Sequence, residues 1–165
     1  MKEMKFTKSI KTILILMTLV LLIQSVIQII DVQKYPSSIE EALLNQVEKY
    51  GDDPEVLRIY ELCRGNLTKV KCVNYYTNFT YDYERTGDKI AEFRSPKMMM
   101  ELGGKGVCKD MAIFYKAVLD KFHIKSKFIF PPNHVYVLAE ENGKVYELNN
   151  QYLFIRWKKN QENFA

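Results

Sequence analysis

Three residues of this sequence have the chemical types that acyl transfer requires: Cys108 in "GGKGVCKD", His134 in "PNHVYV" and Asn149 in "VYELNN". A cysteine in the first turn of a helix faces unpaired backbone amides and the positive end of the dipole, and both stabilise a thiolate. Lys105 and Lys109 add positive charge nearby, while Gly103, Gly104 and Gly106 let a substrate approach the backbone and leave the sulfur uncrowded. The plainer alternative is a small buried thiol. The choice turns on whether a base reaches the sulfur.

Only two histidines exist, and the elements that carry them decide between them. Met111, Ala112, Tyr115, Val118, Leu119 and Phe122 recur at amphipathic helical spacing, which predicts a helix over Cys108–Phe122. His123 lies about 22 Å along that helix from the cysteine at 1.5 Å per residue, so it serves the helix end instead. The next run, Lys125–Phe130, is extended and retraces about 20 Å at roughly 3.3 Å per residue. Pro131, Pro132 and Asn133 turn the chain, and His134 opens the following strand near where the helix began. Asn142-Gly143 signals a tight hairpin, which sets Glu141 opposite Lys144 and Asn149 opposite Tyr136, diagonal to His134. Asn150 then points to the other face with Val135, Val137, Tyr146 and Leu148. Asn149 becomes the group that would hold the imidazole in its tautomer, unless it is only a turn-seeking residue at a strand end.

The remaining elements follow the same punctuation. Ser38 with Glu41 caps a helix over Ile39–Tyr50 that stops at Gly51, and Asp53-Pro54 starts a second that stops at Gly65. Leu67, Val70, Val73 and Tyr76 predict a third, "NFTYDYE" is more extended, and Ser95-Pro96 opens a short helix whose three methionines are core filler. Four β-type runs close the chain, "KSKFIF", "HVYVLAE", "KVYELNN" and "YLFIRW". Helices first and an antiparallel sheet afterwards make the class α+β.

Taken together, "GVCKD" with Gly106, Cys108 and Asp110, the helix behind it, "NHVYV" with His134 and "VYELNN" ending on Asn149 resemble the transglutaminase-like superfamily. The likeness covers roughly Thr68 to Asn150, since "KVKCVNYYTNFTYDYE" is similar to the helix and extension that precede the cysteine in small members. It implies a papain-like core, helices packed on an antiparallel sheet. It also implies a triad in which Cys108 attacks an amide carbonyl, His134 moves the proton and Asn149, where the family usually carries aspartate, orients the ring. Asp110 is carried over as a motif residue, equally explained as a carboxylate favourable in a first helical turn. The residue beside the nucleophile that larger relatives use for the oxyanion is missing, so the backbone amides of Val107 and Cys108 are the candidate donors. The resemblance implies a peptide or protein substrate and no cofactor; the residues themselves do not distinguish hydrolysis from transfer, and hydrolysis is favoured because water needs no dedicated pocket. A catalytically silent module that binds peptide or envelope material is the rival reading.

The chain is 165 residues with a net charge of +4, carried mostly by N-terminal lysines and a basic tail. No basic stripe interleaved with aromatics marks a nucleic-acid partner. Between Lys11 and Asp31 run nineteen uncharged residues, 12–30, nearly the ~20 that cross a bilayer as a helix. Lys2, Lys5, Lys8 and Lys11 would stay cytoplasmic and send the rest of the chain across as a single-pass, extracytoplasmic domain. The flanking sequence lacks a small-x-small cleavage site, which favours an anchor over a cleaved signal and a secreted product. The expected divisions are a Lys-rich tip and anchor over 1–31, a helical lead-in over 32–66 and the core over 67–165. Cys63 and Cys72 either bridge in an oxidising compartment, leaving Cys108 as the odd thiol, or sit as two buried thiols; the sequence favours neither. Asn66 and Asn78 head glycosylation sequons. No metal is expected, because one cysteine and one histidine do not make four ligands.

Overall fold

The computed structural model describes residues 17–18, 38–85 and 92–156. The chain divides into two compact units, Met1–Ser37 and Ser38–Ala165. Met17 and Thr18 are helical; the rest of the apolar run expected to form an anchor lies outside the described residues. No described helix is long and apolar enough to cross a membrane.

The second unit opens with three helices, α1 (Ile39–Tyr50), α2 (Pro54–Cys63) and α3 (Lys69–Thr77). The Ser38 hydroxyl accepts from the Glu41 amide at 3.1 Å, and the Asp53 carboxylate accepts from the Glu55 amide at 3.0 Å with Pro54 at the first helical position. A short parallel pairing of β1 (Thr80–Tyr81) with β2 (Lys105–Gly106) frames a 3-10 turn at Tyr83–Arg85 and α4 (Pro96–Glu101). The long helix α5 (Cys108–Lys121) follows, then a meander of β3 (Lys125–Ile129), β4 (Tyr136–Glu141), β5 (Lys144–Asn149) and β6 (Tyr152–Arg156). All neighbouring strands in this sheet pair antiparallel, so the class is α+β as the sequence predicts.

Helix α5 is the centre of the core. Met111 to Tyr115 and Ala117 to Leu119 are all buried, so the apolar face expected of this helix is wide, and Lys109, Lys116 and Asp120 leave only a narrow polar stripe. The reason is that α1, α2 and α3 cover one side while β3, β4 and β5 cover the other. Val137, Ala139, Tyr146 and Leu148 line the sheet face that meets this core, together with Phe128 from β3. Each such side chain contributes about 1.5–3 kcal/mol through removal from water. Leu43, Val47, Val56 and Ile59 join the same cluster, so α1 and α2 share one core with the sheet. Of the three consecutive methionines only Met99 is fully buried, and Met98 is exposed because the short helix α4 turns one face outward.

Cys63 and Cys72 are bonded as a disulfide between the last turn of α2 and the first turn of α3. Helix α3 begins two residues later than its apolar spacing suggests, and Leu67 is fully exposed. Its start is set from far away. Glu141, at the end of β4, accepts from the amides of Lys69 at 2.8 Å and Val70 at 3.2 Å, while the Asn142 side chain donates to the Leu67 carbonyl.

Candidate active site

Cys108 occupies the first position of α5, with Val107 as the extended residue before it. The disulfide takes the other two cysteines, leaving Cys108 as the free thiol, partly exposed at the edge of the core. Its surroundings are fixed by Asp110. That carboxylate is buried and accepts from the amides of Val107 at 3.1 Å and Arg94 at 3.0 Å, and it pairs with the Arg85 guanidinium at 2.8 Å. Arg85 also donates to the Glu92 carbonyl, and Arg94 reaches Asp82 at 2.6 Å and the Lys105 carbonyl at 3.2 Å. The Arg94 hydrogen bond holds the Asp82 carboxyl below its usual range. Two segments distant in sequence, residues 82–85 and 92–94, are thereby bolted to the loop that presents the thiol.

Two expectations change on this geometry. The Val107 amide is already donated to Asp110, so of the two backbone donors expected to meet an oxyanion only the Cys108 amide remains a candidate. The glycines serve internal packing before they serve a substrate. A Cβ on Gly104, whose φ is +80°, would stand 2.9 Å from the Asn78 carbonyl oxygen, and one on Gly106 would stand 2.6 Å from the Met99 methyl. Lys109 lies over the Phe93 ring at 5.3 Å.

The base comes from the opposite side of the topology. Strand β3 leaves the C-terminal end of α5, and the loop after it, with Asn133 at φ +58° and the His134 amide bonded to the Pro131 carbonyl, turns the chain. His134 therefore sits in that loop, two residues ahead of β4 instead of at its first position. Its Nε2 is 2.7 Å from Oδ1 of Asn149, the contact that the hairpin register predicts. The register itself is as expected, with Glu141 opposite Lys144 and Val137 opposite Leu148. Asn149 in turn donates from Nδ2 to Oε1 of Glu147 at 3.0 Å, and Glu147, buried on β5, pairs with Arg156 of β6. His123 adopts φ +55° just past the end of α5, the helix-stop role expected of it.

A cleft of about 370 Å³ opens beside His134, lined by Tyr81, Tyr83, Asn150, Gln151 and Tyr152. Tyr81 pairs with Gly106, two residues before Cys108. Tyr81 thus links the segment that leads to the thiol with the cleft beside His134, while Cys108 itself does not line that cleft. Asn150 turns its backbone carbonyl inward to accept the Tyr115 hydroxyl at 2.8 Å. That hydroxyl also reaches Asn74, and burial pushes its pKa far up.

Sequence reasoning missed the tyrosine walls, the Arg85 and Arg94 ties, and Glu147. A local signal existed only for Glu147, which is the one charge inside the otherwise apolar run "VYEL" and lies two residues from Asn149 on the same face. Comparison with protein-family models, with curated proteins and with solved structures finds no match to this chain.

Proposed function

We propose that residues 38–165 form a thiol acyl-transfer enzyme of the transglutaminase-like, papain-related kind, acting on peptide or glutamine-type amides. The observation that carries this reading is the short contact from His134 to Asn149, alongside a free, partly exposed Cys108 in the first turn of α5. In this scheme His134 takes the thiol proton, the sulfur attacks the amide carbonyl, and the proton passes to the departing amine as the thioester forms. Water, activated by the same imidazole, then attacks the thioester to give the acid and return the thiol. The Cys108 amide faces the oxyanion. Asn149 orients the ring but stabilises an imidazolium less than a carboxylate would. The cleft falls in the usual size range for small-ligand sites, room for a short peptide segment and not for a deep-buried chain.

The lysine-flanked apolar run 12–30 and the disulfide support a membrane-held domain facing an oxidising compartment. The neutral Asn149 favours a second reading, a silent member that binds peptide or envelope material in the same cleft. Because the other two cysteines are paired, iodoacetamide reports on Cys108 alone. Rapid labelling that slows about tenfold or more in His134→Ala supports the enzyme; slow labelling indifferent to that change supports the binder.

A further inference from the structure

We infer that Glu147 is a positioning residue: it fixes the side-chain amide of Asn149 and, through it, the tautomer of His134. This rests on the Cys-His reading above for its consequence, although the positioning itself does not. Glu147 is 5% exposed on a strand of apolar neighbours, where a carboxylate is costly unless it is held. It is held twice, by Arg156 and by Nδ2 of Asn149 at 3.0 Å. A carboxylate only accepts, so it draws the amino end of the Asn149 amide to itself and leaves Oδ1 for His134. Oδ1 also only accepts, so at 2.7 Å the Nε2 of His134 must carry the hydrogen. Nδ1 is left with its lone pair, free to take a proton from a thiol. With no acid at 147, the amide could turn over, present its amino group to Nε2 and trap the ring with hydrogen on Nδ1, the wrong nitrogen for a base.

The same geometry accounts for asparagine where the resembled family carries aspartate. A second carboxylate 3.0 Å from Glu147 would set two like charges side by side in a buried place. Positions 147 and 149 are therefore coupled, and an aspartate at 149 becomes favourable only when the acid at 147 is gone.

The test uses the full chain, with nitrogen-15 spectra of the His134 ring and iodoacetamide as the probe of Cys108. The parent should show hydrogen on Nε2. Glu147→Gln, which keeps an acceptor, should preserve it, and Glu147→Leu should move the population toward Nδ1 and slow labelling about tenfold or more. Asn149→Asp alone should label more slowly than the parent, and Asn149→Asp with Glu147→Gln faster than Asn149→Asp alone. A ring tautomer unchanged in Glu147→Leu overturns the inference, and so, where labelling depends on His134, does an Asn149→Asp protein that labels as fast as the parent. The two readings fail separately. If labelling ignores His134→Ala while the tautomer still follows position 147, the enzyme falls and the positioning stands; if labelling needs His134 but the tautomer ignores position 147, the reverse holds.

Discussion

Replacing Asp110 by asparagine separates two accounts of the loop that presents Cys108. If the carboxylate merely complements the dipole of α5, its charge is worth about 0.3–1 kcal/mol, and the isosteric amide would cost no more than that. The contacts demand a larger figure. One carboxylate oxygen accepts from the Arg94 amide, and the other accepts from both the Val107 amide and Arg85. An asparagine must place an amino group against at least one of those donors, leaving a buried N–H unpaired at about 1–3 kcal/mol. It also withdraws the negative partner from Arg85, whose side chain is only 16% exposed, and breaking a buried pair costs about 3–5 kcal/mol when burial is complete. Because the Arg85 head also keeps its bond to the Glu92 carbonyl, the two contributions together should come to about 3 kcal/mol. Urea denaturation of the Asp110→Asn and parent proteins measures it, with iodoacetamide labelling in parallel to show the thiol loop loosening. A loss below about 1 kcal/mol would refute the bracket and leave only the dipole.

Glu141→Ala removes both acceptors from the first turn of α3, where Thr68 supplies no side-chain cap, and should cost about 2 kcal/mol in urea melts while Glu141→Gln costs about half as much. Equal losses in the two variants would exclude a charge-assisted cap. Asp82→Asn should destabilise the protein at neutral pH by an amount that vanishes in acid. The Arg94 bond lowers the folded-state pKa of Asp82, so its stabilisation is complete above the ordinary carboxylate value near ~3.9 and disappears as pH falls through the lowered value. Unfolding curves collected from neutral pH down to about pH 2 check the convergence. Reduction of the Cys63–Cys72 bridge, which spans nine residues, should lower stability by about 2–3 kcal/mol, read as a drop in melting temperature on adding a thiol reductant.

The parts of this molecule that its sequence discloses are those specified by neighbours a few residues apart. Ser38 with Glu41 and Asp53 with Pro54 fix where α1 and α2 begin, since each cap bonds an amide two or three positions on. The start of α3 is misread because its cap, Glu141, is more than seventy residues away, and no local pattern carries that information. The Asp110 bracket is hidden for the same reason: Arg94 and Arg85 approach it from separations of 16 and 25 residues, out of segments that look merely extended. The width of the buried face of α5 is equally unreadable, because amphipathic spacing shows which face is most apolar and not how many layers will cover it.

The contact between His134 and Asn149 is long-range by position yet was legible, and the contrast has a physical basis. Asn142 and Gly143, at φ +53° and +71°, make a two-residue turn that admits one register, and a period of two then propagates that register along the hairpin without accumulating error. Six residues from the turn, Asn149 is still placed well enough to meet a side chain just ahead of the start of β4. A loop has no such arithmetic. In the proposed scheme the approach of the thiol to that imidazole depends on how Asp110, Arg85 and Arg94 hold the Gly103–Val107 segment, so that chemistry is exposed to failure at the bracket before it is exposed at the hairpin. Loosening Asp110 should therefore impair Cys108 labelling while leaving the His134 tautomer on Nε2, whereas loosening Glu147 should disturb both.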